Sequence, residues 1–369
     1  MSLTAIVQRL LGPDSPWVTP VVQLIAGLII LFFFILPLAM WPMILGLRKV
    51  AAWIQNRLGP NRVGAFTGRR LPREGGRFRY WAQVFLGWGW LQTAADVLKL
   101  LQKEDIIPAR ADRLVFTLAP FLAFLPAFLV YVAIPFGHGN LIAADLNIGI
   151  LYILAISSIA VVGIIAAGWA SDNKYSLLGG LRSAAQLMTY EVPMTLAAIA
   201  PVLLAGTLRM QGIVEEQSGG FWHWFLFSPA ALSFIVYFIA ALAETNHTPF
   251  DLPEAESELV SGFHVEYSGM KFAMFFLAEF TNIFTVCAIA TTLFLGGWQA
   301  PFPFLPSTGL WSLFWFLLKS FIGVFIFMWL RATLPRIRID QMMSFGWKFL
   351  IPLSLLSLAL TGGWVLLWG

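Results

Sequence analysis

Residues 228–295 read SPAALSFIVYFIAALAETNHTPFDLPEAESELVSGFHVEYSGMKFAMFFLAEFTNIFTVCAIATTLFL, two apolar runs divided by an acidic connection. A helix needs roughly twenty apolar residues to cross the hydrocarbon core of a bilayer, and runs of this kind favour membrane spans. The connection and its borders hold Glu244, Asp251, Glu254, Glu256, Glu258, Glu266 and Glu279, seven of the 19 acidic residues in the chain. A solvated loop would account for the middle of this cluster. It does not account for Glu279, which stands inside the second apolar run. A carboxylate near hydrocarbon costs several kcal/mol unless it is paired, hydrated or protonated, and such residues mark proton or polar-substrate paths by default.

The rest of the chain agrees with a membrane fold. Hydrophobic residues make up 59% of the 369 positions and charged residues 11%, against about 25% charged in ordinary soluble domains. Eight segments are apolar enough to span: 21–46, 114–136, 148–170, 184–205, 228–242, 272–295, 311–330 and 349–368. The fifth is short, and an earlier start near Trp222 would lengthen it. The expected fold is therefore all-α and polytopic, one membrane domain over 1–369, with a long connection at 47–113 and an acidic loop at 243–271. Residues 1–20 carry Pro13, Pro16 and Pro20 and no apolar core, so no secretory signal is expected.

Lysine and arginine give the orientation, because they are retained on the cytoplasmic side. The connections after spans one, three, five and seven hold 20 of the 23 basic residues. Both termini are expected outside the cytoplasm. Glu191 then lies about seven residues into span four and Glu279 about seven into span six, each about 10 Å deep at 1.5 Å per residue. Glu244 closes span five at the same side. Three carboxylates on three helices share a level, as a proton relay requires. Lys319, inside span seven, either snorkels to the outer interface or pairs with an acid at the end of a hydrated path.

In the first connection, WLQTAADVLKLLQKEDIIP sets Leu91, Ala95, Leu98 and Leu101 on one helical face. An amphipathic helix near 91–103, at the membrane surface or against a soluble partner, fits this spacing. The arginines between Arg69 and Arg79 satisfy positive-inside topology and lipid headgroups. Several chemistries are excluded. One cysteine, Cys287, gives no intrachain disulfide, Cys-rich zinc site or protein-ligated iron–sulfur cluster. The four histidines lack metal-ligand spacing, and no nucleotide-binding glycine motif or His-Glu-x-x-His occurs. No metal or redox cofactor is expected on this chain, and no nucleic acid.

QNRLGPNRVG (55–64), KEDIIP (103–108), GWASDNKYSLLGGLRSAAQLMTYEVP (168–193), ETNHTPFDLPEAESELVSGFHVEYSG (244–269) and RATLPRIRIDQMM (331–343) together resemble the H-subunit family of bacterial NADH–quinone oxidoreductase, counterpart of mitochondrial complex I subunit 1. The likeness runs from about residue 40 to 352 with the motifs in the same order. It implies a subunit of the bacterial inner membrane in a proton-translocating respiratory enzyme, with quinone as substrate and lipid around it. FMN and iron–sulfur clusters would reside in partner subunits. Implied partners are the soluble iron–sulfur and quinone-site subunits of the peripheral arm, and the small and antiporter-like subunits of the membrane arm. Carried over by position, Arg48, Arg57, Asp96, Arg182, His247, Asp251, Glu266, Arg331 and Arg336 would line or brace a quinone tunnel. Glu191, Glu244, Glu254, Glu256, Glu258 and Glu279 would form an acidic funnel, and Lys319 matches a family lysine.

Three features depart from the family pattern. Leu47 stands where a Glu precedes the Arg-Lys pair, and His247 stands where the family has Arg. About twenty residues near 67–90 look inserted, and Thr93 replaces a Pro. With Glu244, Asp251 and Glu254 nearby, His247 is expected to be largely protonated at pH 7. The alternatives are an ion-translocating subunit of a hydrogenase-type complex and a stand-alone secondary transporter. The two halves of the chain show no self-similarity of the kind many transporters carry.

Overall fold

Inside a bilayer the backbone must satisfy its own hydrogen bonds, which leaves helices as the natural solution for apolar runs of this length. The computed structural model describes residues 36–57, 59–60, 89–138, 142–253 and 256–368, and among them there is no strand. In chain order the helices are α1 (Leu36–Ile54), α2 (Gln92–Gln102), α3 (Arg113–Leu129), α4 (Gly149–Ala170), α5 (Lys174–Ala205), α6 (Met210–Glu216), α7 (Ala231–Glu244), α8 (Glu256–Leu259), α9 (Gly269–Phe294), α10 (Leu310–Thr333), α11 (Ile339–Phe345) and α12 (Ile351–Trp368). Six helical stretches are long and apolar enough to cross a membrane, and α7 adds a shorter apolar helix of 14 residues. The protein is a polytopic helical membrane protein.

Several boundaries differ from those that hydropathy suggests. The fourth span begins at Lys174, ten residues before the apolar run, so only three residues separate it from α4. Asn173 starts it, its side chain accepting from the Tyr175 N–H at 2.9 Å, and Gly206 ends it in the left-handed region at φ 63°. The last span begins at Ile339 and passes through a π-helical turn at Gly346–Leu350. The fifth span does not start near Trp222: Phe221–His223 and Phe225–Phe227 are separate 3₁₀ turns. The first helix continues past Arg48 and Lys49 to Ile54. Positions 21–35 of the first span and most of the expected insertion, 61–88, lie outside the described residues.

Close helix contacts follow from glycine and buried hydroxyls. Gly163 of α4 lies against α3, where an added Cβ would sit 2.5 Å from the Ala123 nitrogen. More than half of α9 is buried within the chain. The Tyr131 hydroxyl, just beyond α3, donates to the Thr281 carbonyl at 3.0 Å and accepts from Thr285 Oγ1 at 2.9 Å. The Tyr190 hydroxyl of α5 donates to the Met342 carbonyl of α11 at 2.9 Å.

The amphipathic helix is present as α2. Its Leu91, Leu98 and Leu101 are exposed, and Thr93 is the residue it buries. Among the described residues nothing covers these leucines.

Candidate functional site

Two cavities lie on either side of the turn at Gly262–His264. The first, about 310 Å³, receives Glu191 from α5, Glu244 from α7 and Glu279 from α9. These three carboxylates thus line one cavity. Arg331 from the end of α10 also reaches it, with Nη1 3.4 Å from Glu279 Oε1. Its wall includes Ser157 and Ser158 of α4, Asn246 and Asn282. Among the described residues Glu244 keeps one buried oxygen, Oε2, without a hydrogen-bond partner, an acceptor position suited to water or a proton.

The second cavity, about 540 Å³, opens between α1, α2 and α9. Its walls are mostly apolar, from Ile44, Leu100, Phe124, Phe272, Phe276 and Leu277. Arg48 and Asp96 supply the polar contact, Arg48 Nη1 donating to Asp96 Oδ2 at 2.6 Å. Gln92 Nε2 holds the other Asp96 oxygen at 3.0 Å. A largely apolar cleft with a few fixed polar groups is the usual form of a small-molecule site.

The connection between α7 and α8 is clamped to the segment after α10. Arg336 Nη2 donates to Asp251 Oδ2 at 3.1 Å, and the Ile337 N–H donates to the Pro249 carbonyl at 3.2 Å. Gln186 of α5 fastens the same connection by donating to the carbonyls of Ala243 and Phe250. His247 lies beneath it, almost wholly buried, with Nδ1 2.9 Å from Arg331 Nη1 and 3.3 Å from Glu279 Oε1. This overturns the expectation of a protonated imidazole. Burial first, and the Arg331 guanidinium second, hold His247 well below its ordinary range. It is a neutral acceptor for Arg331. The sequence shows the nearby acids but not the arginine that arrives 84 positions later.

This fixes the sign of a pH effect. A histidine with a depressed folded pKa contributes stability that is complete above its ordinary value of 6.5 and lost as pH falls below it. His247→Gln keeps an acceptor for Arg331 and is expected to retain activity within about twofold of wild type from pH 6 to 8. Its pH profile should match wild type there. A limb that moves in this variant would show that His247 titrates in that window.

Other expected site residues lie elsewhere. Arg182 Nη1 pairs with Glu258 Oε2 at 2.6 Å, outside both cavities. Glu266 accepts from Asn173 Nδ2 at 2.7 Å, bracing the start of α5. Arg57 is exposed and bonds to Gln55 at 2.7 Å. Glu254 lies outside the described residues, and only the backbone of Glu256 is described. Among the described residues Lys319 meets no acid. Its ammonium donates to the carbonyls of Leu295, Gly297 and Gln299 at 2.6, 3.0 and 2.7 Å, and lies 4.1 Å from the Trp224 ring centre. It caps the end of α9, as cations do at helix C-termini.

Sequence reasoning passed over His264, Ser157, Ser158 and Gln186. All four are polar residues within or bordering apolar stretches, and that was the available signal. Among the described residues no group of His, Cys, Asp and Glu is arranged to hold a metal ion.

A family model described as NADH dehydrogenase matches residues 26–362. The H subunit of NADH-quinone oxidoreductase from Chlorobaculum tepidum is 49% identical over 333 residues, covering 87% of this chain and 86% of that protein. The H subunit from Brevibacillus brevis is 50% identical, covering 85% of each chain. That of Dehalococcoides mccartyi is 48% identical, covering 92% of this chain and 86% of its own. With a family model over most of its length and relatives at this identity, the chain belongs to the NADH dehydrogenase family of membrane subunits that includes the H subunit of NADH-quinone oxidoreductase.

Proposed function

We propose that this chain forms the membrane part of a quinone site and couples quinone reduction to proton translocation in a bacterial NADH–quinone oxidoreductase. The observation that carries the reading is the adjacency of the two cavities. One is mostly apolar, with the Arg48–Asp96 pair among its few polar side chains, and the other gathers three carboxylates from three helices. A quinone tail matches the first, with the Arg48–Asp96 pair at hand for its polar ring. Reducing a quinone to quinol takes up two electrons and two protons. The electrons come from partner subunits that carry the flavin and iron–sulfur clusters, and this chain holds no redox cofactor of its own.

Transient negative charge on the quinone is favoured by a nearby guanidinium. Replacing it requires protons, and Glu191, Glu244 and Glu279 can pass them within one enclosure. Arg331 sets the charge of that enclosure, and His247 orients Arg331. Lys319 stands outside this path as a structural cap. The enzyme lies in the cytoplasmic membrane with both termini on the far side. The soluble subunits dock at the cytoplasmic face, and antiporter-like subunits adjoin the membrane arm. The name carried by the relatives favours this reading over a hydrogenase-type complex or a transporter.

Asp96→Asn tests the quinone cavity. It keeps the shape and removes the charge that holds Arg48. The Michaelis constant for a short-chain quinone is expected to rise about three- to tenfold, a loss of ground-state binding. Electron transfer from NADH to ferricyanide, which needs only the partner subunits, should not change. An unchanged Michaelis constant in both Asp96→Asn and Arg48→Gln would count against the assignment.

A further inference from the structure

Four residues line both cavities: Ser261, His264, Phe272 and Phe276. They make a thin partition, and His264 is the one member with a readily titratable side chain. Its ring stands edge-on to two phenylalanines, 4.9 Å from Phe263 and 5.4 Å from Phe272 between ring centres. We propose that His264 carries protons across this partition, from the carboxylate cavity to the apolar one. The proposal rests on the two-cavity reading above and names the residue through which the cavities communicate.

The chemistry needs no electron. A carboxylic acid in the first cavity gives its proton to one ring nitrogen while the other ring nitrogen releases its own into the second cavity. The imidazole ends neutral in the opposite tautomer and is reset by a ring flip. Neutral imidazole is the form that can accept and donate at once. Burial keeps His264 in that form, pushing its pKa down to about 4.

Facing it from the first cavity are Glu191, Glu244, Glu279 and Arg331. Facing it from the second are Arg48, Asp96, Lys99, Lys103 and Tyr267. In its own segment, Glu266 is held by Asn173 and Lys271 by Asp105. Three of the carboxylates thus lie on one side, and the proposed quinone, with Asp96, on the other.

The turn that carries the ring is fixed. Gly262 adopts φ 63°, and the Phe263 carbonyl accepts from Ser176 Oγ at 2.9 Å. The Tyr267 N–H donates to the His264 carbonyl at 3.1 Å. The imidazole is therefore held in the partition by its neighbours on both sides.

The test uses the intact complex in membranes with His264→Ala and His264→Gln. Both are expected to reduce quinone about a hundredfold more slowly with NADH–ferricyanide activity unchanged, the lower end of the scale of a lost proton-transfer group. Imidazole at tens of millimolar should restore part of the activity of His264→Ala. Substituted imidazoles should rescue it in an order that follows their pKa, which a packing role would not produce. Should His264→Ala fail to assemble, His264→Gln decides through rate and proton pumping, with slower, weaker pumping supporting the relay. Wild-type rates and pumping in His264→Gln, or in both variants, would overturn the proposal, as would a defect in His264→Ala that no imidazole changes. If Glu279→Gln keeps full pumping, the two-cavity reading itself has failed. If Glu279→Gln loses pumping while the His264 variants keep it, only the role of His264 has failed.

Discussion

Glu279→Gln is expected to lower coupled quinone reduction and proton pumping by about two orders of magnitude while the complex still assembles. The carboxylate lies on α9 within the first cavity, 3.4 Å from Arg331 and 3.3 Å from His247. Glutamine keeps the volume and one acceptor oxygen for the guanidinium, so the enclosure should stay closed. What it removes is the proton-binding site and the negative charge. Proton pumping followed in vesicles, beside NADH–quinone activity, reads both losses. Full activity with full pumping would reduce Glu279 to a structural hydrogen-bond partner. Glu191→Gln on α5 and Glu244→Gln on α7 should act in the same direction, because their side chains line the same space.

Gly179→Ala is the second large effect expected, and it arises from backbone contact. A Cβ at this position of α5 would lie 2.7 Å from both the Gly262 Cα and the Phe263 nitrogen. Neither atom can rotate away, so the turn carrying His264 must shift or α5 must retreat. Overpacking of this kind costs about 1–3 kcal/mol. The thermal inactivation of quinone reductase should shift downward, and quinone reduction should slow even in the assembled enzyme. NADH–ferricyanide activity should remain. Wild-type heat stability and wild-type quinone turnover together would mean that the turn is not pinned by this contact.

Hydropathy made the spans legible, because lipid demands long apolar runs, yet it misplaced their ends. Lys174, Ser176 and Arg182 lower the apolar average before residue 184, but they sit on the same continuous helix. Gly179 and Gly180 there serve close backbone contacts, which need the absence of a side chain. Lys348 obscured the start of the last span in the same way. That Glu191, Glu244 and Glu279 line one cavity agrees with positions counted along their helices.

Partners distant in sequence were not legible. The Arg331–His247 contact reverses the expected charge of the imidazole, and no local spacing encodes it. The carbonyl cage around Lys319 is built from a turn some twenty residues away, which no local spacing around Lys319 shows. Arg57 and Glu266 followed from family position and lie apart from both cavities. Leu47 packs against the apolar core.

The central claim is that the cavity between α1, α2 and α9 receives the quinone. A density map of the intact complex with substrate quinone bound tests it most directly. The account predicts quinone density along Ile44, Phe272 and Phe276, its ring within hydrogen-bond reach of the Arg48–Asp96 pair or His264. Quinone bound elsewhere, with this cavity closed by a partner subunit or filled by lipid, would contradict it.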